Sequence, residues 1–343
     1  MNTPWWGRRF RLPNRFFLAS LLLLAAFPLS AADVNTFSIV GYDAATGECG
    51  IAVASKYFAV GAVVPWAEAG TGCVATQANV NVGYGPKGLE LLRQGLTAQQ
   101  VLDKLLAEDT FPGKDGRQIA IVDAKGNVVT HTGSNAPNWA GGRKGSNWAA
   151  QGNILVGQQV PESMGKAFEA TQGYLPEKLF AALKAGDDAG GDSRGKQSAS
   201  MLVVGKGRGR NINNDRPIYI NVDDSPAPIP ELRRLLDINQ GWLYQQRVGE
   251  LRSAGKAREA RDAAAKVTRY MPGAPAWVTL GLVDYELNDK ASALSDFRKA
   301  LELDANVRRQ FEVPANPQPG RGQRMRTIID DKDFMKQLFP EKQ

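Results

Sequence analysis

Short apolar, β-branched runs punctuated by Gly, Asp and Pro follow one another through residues 36–77, and this density of strand signals is what most limits the fold. The runs cover 36–42, 49–55, 62–66 and 72–77 and predict a mostly buried sheet. From 85 to 106 the spacing becomes helical, with Leu89, Leu92, Leu96, Val101, Leu102, Leu105 and Leu106 free to cover one sheet face and Thr97 placed as an N-cap. Strands return at 118–122, turn through 123–126 and run back along 127–131, a hairpin. Residues 133–148 read as a Gly/Asn/Trp-rich loop, 150–156 as a strand, 162–171 and 176–185 as helices, and 198–204 and 217–222 as strands. A final helix at 231–238 follows the Pro-rich stretch 226–230. The order ββββ, αα, βββ, αα, ββ predicts an α+β domain with two packed sheets between two helical layers, since each helical pair must bury its apolar face on a sheet.

An internal repeat occupies residues 242–304. In its second copy Trp277, Leu280, Gly281, Ala293, Phe297 and Ala300 resemble the packing positions of a tetratricopeptide (TPR) repeat, with Tyr285 one position from the usual aromatic. Trp242, Ala260, Ala264 and Pro272 form a weaker first copy. Two such units are too few for independence, so the tail is expected to lean on the main domain and to recruit a protein partner. The Pro, Gly and Arg content beyond Asn306 predicts an irregular arm over 307–343.

Ahead of the first strand, Arg8, Arg9, Arg11 and Arg15, an apolar run at 16–29 and the small residues Ser30, Ala31 and Ala32 read as a signal peptide cut after Ala32. The apolar run is shorter than the roughly 20 residues of a bilayer span, so no stable membrane span is expected after cleavage; an uncleaved anchor is the alternative. The implied location is exported, periplasmic or extracellular. Removing this segment takes four arginines and no acids, lowering the formal charge from +7 to +3. That residue of charge, with no basic stripe, speaks against nucleic acid. The expected divisions are therefore 1–32 signal, 33–238 main domain, 239–306 repeats and 307–343 arm.

One histidine, His131, closes most routes to zinc sites and to serine or cysteine triads. Cys49 and Cys73 leave two readings open, a disulfide in an oxidising compartment or buried free thiols. The glycine-rich run 205–209 is followed by a strand rather than a helix and reads as a loop, not a phosphate site. Asp187, Asp188 and Asp192 miss calcium-loop spacing. No cofactor or metal is expected.

The segments TFSIV at 36–40, GIAVASK at 50–56, VPW at 64–66, ATQA at 75–78, YG at 84–85, QGN at 151–153 and GDSRGKQSA at 191–199, in this order, resemble the DUF1028 family over 36 to about 238. That resemblance places the chain among N-terminal nucleophile (Ntn) hydrolases and implies a four-layer αββα sandwich. It assigns Thr36 as nucleophile, its own α-amine acting as base; an α-amine pKa of about 7.7–8.0 allows this without histidine. Lys56 is expected to add positive charge, and Asn79, Gln77 or Asn153 to donate to an oxyanion. Ser55, Gln77, Gln151, Asp192 and Arg194 are the expected substrate-binding residues. Asp33, Val34 and Asn35 precede Thr36, so the mechanism requires trimming or self-cleavage at Asn35-Thr36.

Two functions follow as expectations. One is an exported Ntn-type amidohydrolase acting on a small-molecule or peptide amide, with cell-envelope peptide as an extrapolation from location. The other is a non-catalytic envelope scaffold using the tail to hold a partner. Homo-oligomerisation stays open.

Overall fold

The computed structural model describes residues 36–312 and 321–340; the expected signal peptide and the segment Asp33-Val34-Asn35 lie outside the described residues. Strands β1 (Thr36–Asp43) and β2 (Glu48–Ser55) pair as an antiparallel hairpin that sets Thr36 opposite Ser55. After a 3-10 turn at Val60–Ala62 come β3 (Pro65–Glu68) and β4 (Gly72–Ala78), so the run expected at 62–66 forms a turn first and a strand only from Pro65. Helices α1 (Tyr84–Arg93) and α2 (Ala98–Glu108) are separated at Thr97, whose side chain accepts from Gln100 N–H in a capping box. Strands β5 (Arg117–Asp123) and β6 (Val128–Thr132) form the expected hairpin, with Gly126 at φ 83° in the turn.

One strand was not expected. β7 (Gly141–Lys144) lies within the stretch read as loop and pairs with β8 (Trp148–Asn153) at the sheet edge. Its sequence, GGRK, has no β-branched or aromatic residue, so the ladder with β8 rather than local preference makes it a strand. Helices α3 (Gln159–Ala170) and α4 (Leu175–Asp188) precede β9 (Ser198–Val204) and β10 (Ile218–Val222).

The strands make two antiparallel sheets, ordered β10-β9-β2-β1-β8-β7 and β3-β4-β5-β6. Strand alternation sorts the side chains. Val40, Ile51 and Val53 of the first sheet share one cluster with Cys73, Ala75, Ala120 and Val122 of the second. The opposite face of the first sheet packs Phe37, Ile39 and Ala52 against Phe168, Leu179 and Leu183 of α3 and α4. That of the second packs Val74, Ile119 and Ile121 against Leu91, Leu102 and Leu105 of α1 and α2. Each fully buried Val, Leu or Ile here contributes about 1.5–3 kcal/mol relative to exposure. Cys49 and Cys73 are free thiols in the inter-sheet cluster, and burial, with Cys49 alongside, pushes the Cys73 thiol up.

The C-terminal region is helical. Instead of a domain-ending helix at 231–238 and a separate repeat helix, one helix, α5 (Pro228–Ser253), runs through, so the expected boundary at 238/239 falls inside it. Three helices follow on short connections, α6 (Ala257–Tyr270), α7 (Ala274–Glu286) and α8 (Lys290–Leu303). Leu280, Ala293, Phe297 and Ala300 are buried, and a Cβ at Gly281 would lie 2.9 Å from the Phe297 ring, which is why glycine stands there. The arm expected to be irregular contains two helices among its described residues, α9 (Arg321–Asp330) and α10 (Lys332–Leu338). Met325, Ile328, Phe334 and Leu338 seat them on α7 and α8.

A carboxylate pair sits inside this region. Arg261 of α6 holds Asp284 of α7 at 2.6 Å, while Asp296 of α8 is buried and its Oδ2 has no hydrogen-bond partner among the described residues. Burial, then the adjacent Asp284, pushes Asp296 up to about 7 despite Arg261; Asp289 also faces it. The folded chain therefore keeps a proton that the unfolded chain releases near pH 4. This contribution is full below that pH and is lost as pH rises through 7. The melting temperature is expected to fall from pH 5 to pH 8 and Asp296→Asn to flatten that slope; an unchanged slope in the variant would refute the assignment.

Candidate functional site

At one end of the two sheets the inward-facing positions turn polar. Thr36 and Ser38 continue the phase of Val40, Gln77 that of Cys73 and Ala75, Gln118 that of Ala120 and Val122, and Gln151 and Asn153 that of Ala149. All six polar residues are fully buried, as is most of Ser55. Register brings them together, since Thr36 pairs with Ser55 on one side and Asn153 on the other, and Ser38 pairs with Gln151.

The hydrogen bonds define a directed network. Thr36 Oγ1 lies 3.1 Å from Ser55 Oγ. Gln118 Nε2 donates to the Gly152 carbonyl at 2.8 Å, the Gly141 carbonyl at 3.3 Å and Thr132 Oγ1 at 2.9 Å. Backbone carbonyls only accept, so they fix which end of the Gln118 amide is nitrogen. Its Oε1 must then accept, and does so from Gln77 Nε2 at 2.7 Å and Asn153 Nδ2 at 3.1 Å. Gln77 Nε2 also reaches the Thr36 carbonyl at 3.2 Å, and its Oε1 accepts from Ser38 Oγ at 2.6 Å. The same logic fixes Asn153. Its amine is engaged by Gln118, and the atom left without a partner in the buried layer is the acceptor Oδ1.

This places the expected site residues. Thr36, Ser55, Gln77, Gln151 and Asn153 share the layer; Gln151 lies one inward position deeper, donating to the Ala75 carbonyl and accepting from Thr130. Asn153 gives one of its two amide N–H groups to Gln118, and its Oδ1 is left as an unmatched acceptor. Lys56 is not brought to Thr36. It is exposed, one residue past Ser55 and so turned to the other side of the strand, and its Nζ donates to the Lys196 carbonyl. Asn79 is also elsewhere, for Ala78 takes φ 63° and the chain turns away, leaving Asn79 Nδ2 on the Gly113 carbonyl.

Asn79 belongs instead to a buried support. Arg117 holds the Asn79 carbonyl and pairs with Asp109 at 2.9 Å, and Tyr84 donates to the same carboxylate at 2.7 Å. Burial opposes ionisation of Asp109, yet Arg117 and Tyr84 hold its carboxyl at about 2. Asp192 and Arg194 form a second support. The buried Asp192 carboxylate accepts from the Lys56 N–H at 2.8 Å and the Arg194 N–H at 2.9 Å, and it pairs with the Arg194 guanidinium at 3.2 Å. These contacts fasten the loop before β9 to the ends of β2 and, through the Leu155–Asp192 bridge, of β8.

Sequence reading missed Ser38, Gln118, Thr130 and Thr132. The available signal was a glutamine or serine standing in phase with inward apolar positions of the same strand. His131 alternates to the other face of β6 with Val129, where burial lowers its pKa, so no imidazole enters the layer. Among the described residues no three of His, Cys, Asp and Glu converge as a metal site. A cavity of about 10 Å³, room for a water, lies beside Ser55, Asp192 and Phe37.

The model of a family of unknown function, DUF1028, matches residues 36–232. A solved structure of a protein from Silicibacter pomeroyi, described by the same family model, is 31% identical, with a TM-score of 0.54 over 59% of this chain and 84% of its own. The ancestral β-subunit Anbu from Yersinia bercovieri is 10% identical, with a TM-score of 0.22 over 49% of this chain and 80% of its own. No curated protein matches.

Proposed function

Starting from the fact that the chain belongs to the DUF1028 family, we propose that it is an exported amidohydrolase of the Ntn type whose nucleophile is Thr36. The single observation that carries this reading is the position of Thr36: first residue of β1, hydroxyl beside Ser55, carbonyl held by Gln77, inside a fully buried polar layer between the two sheets. Two sheets stacked through one core, each backed by a helical pair, support the αββα sandwich. The tail's buried small and aromatic residues support the TPR-like reading.

In this reaction Thr36 Oγ attacks the substrate amide carbon while the α-amine, freed by loss of the residues ahead of it, takes the hydroxyl proton. The C–N bond then breaks, the amine leaves with that proton, and water hydrolyses the Thr36 ester. The unused Oδ1 of Asn153, register partner of Thr36, supplies the acceptor that orients the new α-amine. Gln77 and Gln118 keep Asn153 and Thr36 in place.

The test is the mass of the protein recovered after export. A chain beginning at Thr36 is expected; a stable and fully active chain beginning at Asp33 would end the proposal. The scaffold reading is favoured by one observation, the exposed Lys56 turned onto Lys196, and it predicts the Asp33 start with no amide turnover.

A further inference from the structure

Where the helical region meets the mixed domain, two open cavities of about 580 Å³ each lie side by side with Tyr270 as their shared wall. They differ in chemistry. The first is walled by tyrosine rings, Tyr174 from the connection before α4, Tyr244 from α5 and Tyr270 from α6. Tyr244 and Tyr270 stack, with centroids 5.8 Å apart and planes 6° apart. The second is apolar, lined by Trp242, Val267, Met271 and Pro275. Trp242 keeps nearly half its surface exposed, although a residue of that size is normally covered.

Charge in the first cavity is unbalanced. Its two carboxylates, Glu177 and Asp237, are both engaged by Arg233, at 2.7 Å for Glu177. Lys266 and Arg269, on one face of α6, also line it and make no ion pair among the described residues. Their cations rest on the rings instead. Lys266 Nζ lies 4.9 Å from the Tyr244 centroid and 5.7 Å from that of Tyr174, and the Arg269 guanidinium 5.7 Å from that of Tyr270. Burial, then Tyr174, pushes the Tyr244 phenol up, so it remains a protonated donor at neutral pH. Two unpaired cations and phenolic donors facing one cavity call for an anion, and the adjoining apolar cavity calls for a hydrocarbon group within a few ångströms of it.

We propose that this seam is a binding site for an acidic peptide. A side-chain carboxylate of the peptide sits on Lys266 and Arg269 against the tyrosine hydroxyls, and a neighbouring bulky apolar side chain fills the cavity under Trp242 and Met271. A polypeptide meets the requirement because it can carry both groups on adjacent residues, and cavities near 580 Å³ leave room for the backbone beside each side chain. The site is independent of Thr36.

The probe is a fluorescein-labelled heptapeptide in which aspartates alternate with leucine and phenylalanine, measured by anisotropy on the full exported chain. The same peptide with asparagines is expected to bind at least about tenfold more weakly, and the double variant Lys266→Ala/Arg269→Ala to lose a similar factor for the aspartate peptide only. Both side chains are exposed, so the fold is retained, and an unchanged melting temperature verifies this. As a second arm, Lys266→Glu/Arg269→Glu should exchange the preference to the corresponding lysine peptide. Inorganic phosphate at matched ionic strength should not compete. Absence of aspartate-peptide binding, equal binding of the asparagine peptide, an unaffected double variant, or full competition by phosphate would each overturn the proposal.

Discussion

Thr36→Ala is expected to remove amide turnover, by at least about a thousandfold, on any substrate the wild-type chain cleaves, because the proposed nucleophile has no partial substitute. The same change costs little in folding. It deletes a hydroxyl whose contact with Ser55 is 3.1 Å and one buried γ-methyl, together worth about 1–2 kcal/mol, while the β1 ladder and the Gln77 bond to the Thr36 carbonyl survive. A melting temperature within a few degrees of wild type is therefore expected, with Thr36→Ser retaining part of the activity. The measurement is turnover and thermal unfolding on the same preparation. Undiminished turnover in a folded Thr36→Ala protein would remove Thr36 from the mechanism, and loss of folding would mean that the side chain is structural first.

Gln118→Leu has the opposite signature and the largest expected effect on stability. Leucine fits the volume but takes away the acceptor of Gln77 and Asn153 and the donor of the Gly141 and Gly152 carbonyls and Thr132. Unmet buried groups cost about 1–3 kcal/mol each, and partial rearrangement leaves a net loss of roughly 3–6 kcal/mol. For a domain of this size that is a fall of about 10 °C or more. Gln77→Leu, which leaves Gln118 its three donated bonds, should fall between Gln118→Leu and wild type. A Gln118→Leu chain melting within about 2 °C of wild type would show that the polar layer is wet and easily satisfied by solvent.

Much of the fold was legible because burial imposes a period. Thr97 ahead of the second helix and the 118–131 hairpin follow from local chemistry that tertiary context only reinforces. The errors have physical causes of the same kind. The boundary expected at 238/239 falls within an unbroken helix, where Gln240 is buried and a Cβ at Gly241 would collide with Met271, so the glycine serves close packing of α5 on the end of α6. At 307–343 the apolar Met325, Ile328, Phe334 and Leu338 are too few to announce a helix pair until α7 and α8 offer a surface.

The candidate site was legible only in part. Thr36, Ser55, Gln77, Gln151 and Asn153 stand together in one buried layer, while Lys56 and Asn79, expected beside them, lie outside it. One residue past a strand end reverses the face, and a left-handed residue at Ala78 redirects the chain, and neither can be read from spacing. The sequence by itself determined that strands and helical pairs would alternate and that Thr36 would open the first strand, because those are properties of single segments. Only the tertiary structure decided that Gln118 would join Gln77 to Asn153 and leave one buried oxygen beside Thr36 unmatched, because pairing across two sheets depends on register between segments that lie far apart in the chain.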